Sequence, residues 1–308
     1  MESKTFDLVV LGHFSIDFIL LPNSTKPRRM LGGPPTYVSL AAKKMDACVS
    51  VISKVGGDFP AKYLQWLRKH GIDLSGLKIC EESRTTSFML KYCSSGERVL
   101  ILRSKAPSIT SEDLLPTLKA KAIHISPIAN EIPLNLIEKI GDTVSLTSLD
   151  PQGLLRHFNS NGKTSLRKIR DLSFLRKIDV FKSSEKEVKV LAGKENVLEA
   201  LRKVRECSVK IAIATIGKRG SLVSFNHRFF MVPAAEPKIF LDPTGAGDAF
   251  IGTFIAEYLK GRDPLWCACV GSAAASFVVE KTGPKGFKGR KEVYRRASLI
   301  YEKTLIIE

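Results

Sequence analysis

Ten residues, Leu241-Asp242-Pro243-Thr244-Gly245-Ala246-Gly247-Asp248-Ala249-Phe250, carry the densest chemistry in this chain of 308 residues. Two glycines flank an alanine, and an apolar stretch, Ala249–Leu259, reads as a helix starting right behind them. The start of a helix leaves backbone N–H groups unpaired and carries partial positive charge. Glycines let a backbone approach an anion closely. Gly245, Ala246 and Gly247 are therefore read as an anion hole for a phosphoryl group on which negative charge is growing. Asp248 falls in the first turn of the helix. A carboxylate there repels a bound phosphate unless it has a task, and the natural task is to accept the proton of an attacking hydroxyl. Phosphoryl transfer has a loose transition state in which that proton leaves late, so a base of ordinary carboxylate pKa suffices. The competing reading makes Asp248 a helix N-cap and the glycines a tight turn. A bare Gly-x-Gly would not separate the two; the full Asp-Pro-Thr-Gly-Ala-Gly-Asp run favours a site that moves a phosphoryl group to a hydroxyl.

Such a loop needs a scaffold, and the rest of the chain describes one. Short β-rich runs alternate with amphipathic stretches, which predicts an α/β fold with a mostly parallel sheet flanked by helices. Phe6–Leu11 reads as a first buried strand ended by Gly12, and Cys48–Ser53 as a second. Ala122–Ile125, Ser145–Leu149, Val180–Phe181 and Lys210–Thr215 are further strand candidates. Helices are expected over Thr36–Lys44, Phe59–His70, Pro133–Ile140, Glu185–Leu191 and Val197–Cys207. Ala249–Val279 reads as two helices broken at Gly261, followed by a Gly/Pro/Lys loop and a final helix. Two regions break the rhythm. Phe14–Leu21 alternates like an exposed strand, and Thr85–Leu102 reads as a hairpin around Ser94-Ser95-Gly96. Neither precedes a helix, so both are assigned to a small separate sheet covering the site, a lid of about residues 14–30 and 84–104 inserted in a single domain, 1–308.

Composition narrows the function. Hydrophobic residues make up 44% and charged residues 26%, as in a globular chain that buries a core without metals or disulfides. The six cysteines form no Cys-x-x-Cys pair, which points to reduced thiols in a cytoplasm. The N-terminal residues show no apolar signal-peptide core, and no apolar run is long enough for a bilayer, so no membrane partner is expected. The net charge of +17 raises nucleic-acid binding as a rival, but no recognised binding module accompanies it. The basic runs Lys163–Lys182 and Lys285–Arg296 are interleaved with apolar residues and read as solvated helix faces. A dinucleotide-dependent oxidoreductase would need Gly-x-Gly-x-x-Gly after the first strand, where Gly12-His13-Phe14 stands, and no P-loop motif is present.

The run Leu241–Phe250, continued by Ile251-Gly252-Thr253-Phe254, closely resembles the C-terminal signature of the ribokinase-like (PfkB) carbohydrate kinases. The resemblance spans nearly the whole chain: Gly12 and Asp17 after the first strand, the pair Gly32-Gly33, the segment Ser53-Lys54-Val55-Gly56-Gly57-Asp58, the lid hairpin, and Thr215, Gly217 and Gly220 as a nucleotide loop. It implies a three-layer ribokinase-like fold, with Asp248 as catalytic base and Gly245, Ala246 and Gly247 as anion hole. It implies acceptor contacts from Asp17, Gly32, Gly33 and Tyr37. It implies nucleotide contacts from Lys182, Ser184, Thr215, Gly217, Gly220, Thr244, Gly245, Gly247 and Ala274. Glu187 matches the Glu of the family's Asn-x-x-Glu motif, which helps hold Mg²⁺ near the phosphates of ATP or another nucleoside phosphate donor. Gly283-Pro284-Lys285-Gly286 matches a region near the adenine that in some members holds a monovalent cation. The sequence departs from the family in two places: Ser184 replaces the asparagine of that motif, and Tyr37 stands among the small residues after the glycine pair.

The run Asp150-Pro151-Gln152-Gly153-Leu154-Leu155-Arg156 is read as a loop after a strand end, where α/β folds bind ligands. Gln152 can exchange hydrogen bonds with hydroxyls, and Arg156 can approach phosphate oxygens. This run, with Tyr37 and Lys182-Ser183-Ser184, resembles the myo-inositol kinase branch of the family. The leading acceptor is accordingly myo-inositol or a related cyclitol, with sugars such as ribose, fructose or ketodeoxygluconate, and nucleosides, left open. The lid strands offer edges through which two copies could pair as a homodimer.

Overall fold

The computed structural model describes residues 5–22, 24–93, 98–114, 119–141 and 143–307. The first strand shows why the sequence alternation is weak. In β1 (Thr5–Leu11), Leu8 and Val10 join one hydrophobic core while Val9 and Leu11 join a second on the opposite face. A strand covered on both faces has no polar side to display. The chain then forms β2 (Ser15–Leu20), β3 (Arg28–Gly32), α1 (Pro34–Lys44), β4 (Val49–Gly56), α2 (Ala61–Lys69), β5 (Asp73–Cys80), β6 (Ser87–Tyr92) and β7 (Arg98–Ser104). Next come β8 (Lys119–Ile125), α3 (Leu134–Ile140), β9 (Leu146–Leu149), α4 (Gln152–Leu155), β10 (Arg156–Phe158), β11 (Thr164–Leu166), β12 (Val180–Ser184), α5 (Glu185–Ala192) and α6 (Val197–Arg205). The last part is β13 (Ile211–Thr215), β14 (Ser221–Phe225), β15 (Arg228–Val232), α7 (Ala246–Tyr258), α8 (Pro264–Val278), α9 (Arg290–Tyr301) and β16 (Leu305–Ile306).

Among the described residues the main sheet has ten strands in the order β16-β15-β14-β13-β12-β9-β8-β1-β4-β5. From β13 to β5 every neighbour is parallel; β14, β15 and β16 add an antiparallel edge. One face packs on α1, α2, α7, α8 and α9 through residues such as Val38, Leu67, Phe250, Val270 and Val293. The other packs on α3, α5 and α6 through Leu136, Val188 and Leu201. This is a three-layer α/β fold, a mostly parallel sheet between two helical layers, as the alternation of strands and helices predicts.

The two rhythm-breaking regions form a separate four-stranded sheet, β3-β2-β6-β7, with β2 parallel to β6. Its own small core of Ile19, Phe88 and Leu90 closes on Ile128 and Ala129 behind β8. The expected turn Ser94-Ser95-Gly96 lies outside the described residues. Phe14–Leu21 is not an exposed strand: Phe14, Ile16, Asp17 and Ile19 are all buried, because the sheet is covered on both sides. The β7 edge is partly occupied, since Leu102 N–H donates to the Gly162 carbonyl at 2.9 Å and Ile101 bridges Lys163. The run Lys163–Lys182 is not a solvated helix face either. It contains β11, paired with β10, and it ends on β12, where Lys182 is buried. Asp150–Arg156, read as a loop, contains the single turn of α4. No helix among the described residues is long and apolar enough to cross a membrane.

Candidate active site

The strands β1, β8, β9, β12 and β13 end at one edge of the main sheet, and the lid stands over that edge. Between them lies a cavity of about 230 Å³, lined by Asp17, Gly33, Tyr37, Arg98, Asp150, Gln152, Arg156, Lys182, Ser184, Glu187, Thr215, Thr244, Gly245, Gly247 and Asp248, among others. At ~30 Å³ per water, that is room for about eight waters, the bulk of a small acceptor.

The floor is the start of α7. Gly245 is the N-cap residue, with φ 78°, in the left-handed region that favours glycine, and no side chain caps the helix. The reading of Asp248 as a cap therefore fails: it sits two residues inside the helix, partly exposed to the cavity. The Ala246 amide donates to the Pro243 carbonyl at 3.2 Å, and Ala246 does not line the cavity. This corrects the three-residue anion hole. The amides of Gly245, Gly247 and Asp248 have no backbone acceptor among the described residues and are the ones free to take an anion. The Tyr37 ring packs directly on Gly245; a Cβ at that glycine would lie 2.1 Å from Tyr37 Cδ1. Tyr37 thus fills space beside the anion hole and stacks obliquely on Phe287 at 6.1 Å. Its hydroxyl is buried without a partner among the described residues.

Two neighbouring parallel strands supply the cation. Lys182, on β12, donates to Asp150 Oδ2, just past β9, at 2.7 Å, with both side chains nearly buried. A Cβ on Gly247 would lie 2.6 Å from Lys182 Nζ, so this ammonium hangs directly over the anion hole. Burial works against the charge, but Asp150, Asp248 and Glu187 outweigh it and hold the Lys182 pKa above its ordinary value. For Asp248, burial dominates and lifts the carboxyl to about 6, with Lys182 opposing and Asp150 adding to the rise. Asp248 is therefore not an ordinary carboxylate, contrary to what the sequence suggested.

The acceptor side is built by the lid. Asp17, on β2, accepts from Ser15 Oγ at 2.7 Å, and its other oxygen lies against Gly32, where a Cβ would come within 2.0 Å. Burial raises its pKa to about 6, and Ser15, Arg98 and Arg156 moderate the rise. Gln152 and Arg156 turn toward each other: Arg156 donates to Gln152 Oε1 at 2.6 Å and to the Ile128 carbonyl at 2.9 Å. Arg156 also faces the Phe88 ring at 5.7 Å, which places it beside the lid rather than at the phosphates.

Ser184 and Glu187 form a reciprocal capping box at the start of α5. The Ser184 amide and hydroxyl donate to Glu187 Oε2 at 2.9 and 2.6 Å. Serine at the asparagine position of the motif thus aims the glutamate at the cavity wall. Gly217, Gly220 and Ala274 lie outside this cavity, the first two in the turn after β13 and the third buried in α8. Sequence reasoning missed Arg98 and Tyr92 of the lid. Their signal was the hairpin register, which makes them cross-strand neighbours on the lid sheet, with Arg98 lining the cavity.

The family model of the pfkB family carbohydrate kinases matches residues 5–287. The chain belongs to this family. A cytidine kinase of Thermococcus kodakarensis is 32% identical over 284 residues, covering 90% of this chain and 97% of that protein. A nucleoside kinase of Methanothermobacter thermautotrophicus is 26% identical over 297 residues, covering 91% and 92%. Among solved structures, a pyrophosphate-dependent kinase of the ribokinase family superposes with TM-score 0.81 at 25% identity, over 94% of this chain and 99% of that one. This pfkB kinase is thus a phosphotransferase acting on hydroxyl groups of a sugar or nucleoside.

Proposed function

We propose that the enzyme transfers the γ-phosphoryl of ATP to a hydroxyl of a nucleoside, with cytidine as the leading acceptor. The observation that carries this is the two-sided acceptor half of the cavity. One side offers the buried carboxylate Asp17; the other is an apolar wall of Phe88, Leu90, Leu100 and Ile128. A nucleoside has the same division: ribose hydroxyls for a carboxylate to accept, and a flat base whose faces suit hydrocarbon. The likeness to a cytidine kinase at 32% identity supports the same class. A second reading keeps myo-inositol, on the strength of the run Asp150–Arg156 and Tyr37. A cyclitol carries a hydroxyl on every ring carbon and leaves that apolar wall poorly used.

In this reading the acceptor hydroxyl lies beside Asp248, which takes its proton as the oxygen attacks phosphorus. The amides of Gly245, Gly247 and Asp248 and the Lys182 ammonium hold the transferring group. The nucleotide runs along Thr215–Gly220 toward α8 and Ala274. Lid closure excludes water as a competing acceptor. Glu187 offers a carboxylate at the cavity wall, which suits Mg²⁺, since that ion takes one or two protein carboxylates with waters and phosphates. Bound there, Mg²⁺ would offset charge on the donor phosphates. A coupled ADP-release screen against cytidine, uridine, adenosine, ribose, fructose and myo-inositol tests the acceptor. Cytidine or another nucleoside should give the highest kcat/KM; turnover with myo-inositol and none with nucleosides would reverse the order of the two readings.

A further inference from the structure

We propose that Glu131, acting through His13, is a positioning residue that sets the acceptor half of the cavity by pinning the lid to the body of the molecule. The inference rests on the phosphoryl-transfer reading above. The chain passes between body and lid at four places among the described residues: residues 12–14 between β1 and β2, Gly33 between β3 and α1, residues 81–86 between β5 and β6, and residues 105–110 after β7. All four meet at His13, which is fully buried. Its ring Nδ1 lies 2.8 Å from Thr86 Oγ1, and its Nε2 lies 3.1 Å from the Pro107 carbonyl. A Cβ on Gly33 would lie 2.3 Å from the His13 carbonyl oxygen. The Pro107 carbonyl can only accept, so Nε2 carries the proton and Nδ1 accepts from the Thr86 hydroxyl. Thr86 Oγ1 in turn accepts from the Ala106 amide at 3.0 Å. Burial lowers the His13 pKa against the pull of Glu131, which suits the neutral ring these bonds require.

Glu131 fixes this junction from the body. Its side chain is fully buried, and every hydrogen bond it makes among the described residues comes from a backbone amide: His13 at 3.1 Å, Ile128 at 2.9 and 3.0 Å, and Ala129 at 2.7 Å. A buried carboxylate is costly unless its oxygens are satisfied, and this one is satisfied by joining two separate segments. The Glu131 carbonyl also accepts from the Ile109 amide at 2.8 Å, on the passage that leaves β7. One residue thus ties the first passage, the last passage and the segment 128–129. That segment is where the lid sits down, since the lid core of Ile19, Phe88 and Leu90 closes on Ile128 and Ala129. The acceptor side of the cavity hangs from the same junction. Asp17 is four residues beyond His13, Phe88 is two beyond Thr86, and both line the cavity with Gly33 and Ile128. A shift of the junction moves that carboxylate and that apolar wall relative to each other. Lys182 on β12 and Asp248 on α7 stand outside the junction and keep their places.

The test uses the full chain with ATP, Mg²⁺ and cytidine, or the best acceptor of the screen. Glu131→Gln keeps the shape but sets one N–H donor against another, so one of the two tethers is lost. The acceptor KM should rise about tenfold, the effect of losing a hydrogen bond to a charged group, with the KM for ATP within about threefold. Water should also compete better as the acceptor side loosens. Its oxygen forms the bond to phosphorus in place of the acceptor hydroxyl, the bond to the diphosphate oxygen breaks, and inorganic phosphate, a proton and ADP leave. Phosphate released per acceptor phosphorylated should therefore rise. His13→Phe fills the same space without the ring hydrogen bonds and should show the same pattern. Combined with Glu131→Gln it should add less than the sum of the two, because they act as one unit. Asp179→Asn is the control: Asp179 also accepts from a backbone amide, Thr147 at 2.8 Å, but at the far edge of the main sheet, ahead of β12. It should lower the melting temperature and leave both KM values and the phosphate ratio as in the wild type. Should Glu131→Gln fail to fold, His13→Phe and Glu131→Asp carry the comparison. An active Glu131→Gln with a lowered melting temperature but the acceptor KM and phosphate ratio of the wild type overturns the proposal, since Glu131 then only stabilises. So does a KM for ATP that rises as far as that of the acceptor. A wild type inactive on every acceptor in the screen brings down the phosphotransfer reading and this inference together.

Discussion

The two halves of the cavity are held by different means. On the sheet side, Lys182 and Asp150 come from neighbouring parallel strands, β12 and β9, and the pair is nearly buried at 2.7 Å. On the lid side, Arg98 lines the cavity from a hairpin, paired in register with Tyr92, whose sheet is small and has its own core. One cation is part of the scaffold; the other is carried by the small separate sheet. Both halves also hold a carboxylate raised to about 6, Asp248 on the sheet side and Asp17 in the lid, with burial as the first cause in each. The difference teaches where specificity and chemistry divide. In the proposed reading the sheet side holds the transferring group and the lid side selects the acceptor.

The sharpest break of that division is Asp248→Asn. The amide cannot accept the proton, so kcat should fall about 10²–10⁴-fold, while the affinity for ATP measured by calorimetry stays within threefold. Loss of nucleotide binding of the same size would move Asp248 from the acceptor proton to the donor phosphates. Next in size is Lys182→Met. It removes a phosphoryl contact and also leaves Asp150 charged, unpaired and buried, which costs about 3–5 kcal/mol. Both kcat and the melting temperature should drop, whereas Arg98→Met in the lid should leave the melting temperature near that of the wild type. Equal melting temperatures for the two variants would erase the distinction between a scaffold cation and a lid cation.

The pH dependence reads both halves at once. Asp248 must be ionised to act as base, and its pKa of about 6 is above the ordinary carboxylate range. The kcat/KM of the free enzyme should therefore be full above about pH 7 and fall as pH drops through 6; an unperturbed base would hold activity to about pH 4. Asp17 reaches about 6 as well, so if both must be ionised the acid limb should be steeper than one proton. Stability runs the other way. A carboxyl raised in the folded state contributes stability that is present below its unfolded value near 4 and lost as pH rises through 6. Replacing Asp17 by Asn should flatten the limb toward a single proton. A limb unchanged at pH 6 would mean that only the sheet-side carboxylate counts.

How much of this was legible follows from which residues advertise themselves locally. The loop at Gly245–Asp248 did, because glycines, a carboxylate and an apolar helix adjoin in sequence. Lys182 was placed at the site by resemblance, yet its neighbourhood read as a solvated run; nothing local shows that Asp150, 32 residues earlier, is its partner. Arg98 looked like one more basic residue, and only the folded hairpin brings it to the cavity wall beside Tyr92. The β14–β15 hairpin was silent for a different reason. Its turn residues Asn226 and His227 take positive φ without a glycine, so the usual two-residue turn signal is missing. The raised pKa of Asp248 is a property of burial, and sequence carries no burial for a residue two places inside a helix.

The smallest expected effect is also the most specific, and it sits where the two halves meet. Tyr37 presses on Gly245 of the sheet side and lines the cavity that the lid covers, and its hydroxyl is buried and unpartnered among the described residues. A buried hydroxyl left without a partner costs about 1–3 kcal/mol, so Tyr37→Phe should leave the empty enzyme as stable as the wild type or more so. The ring would still pack on Gly245 and Phe287, and the anion hole should keep its shape. If the hydroxyl is reserved for the acceptor, the acceptor KM should rise about three- to tenfold, a lost hydrogen bond of ~1 kcal/mol, with kcat nearly unchanged. A fall in kcat with constant KM would instead assign the hydroxyl to the transferring group. Tyr37 would then belong to the chemistry of the sheet side rather than to acceptor choice.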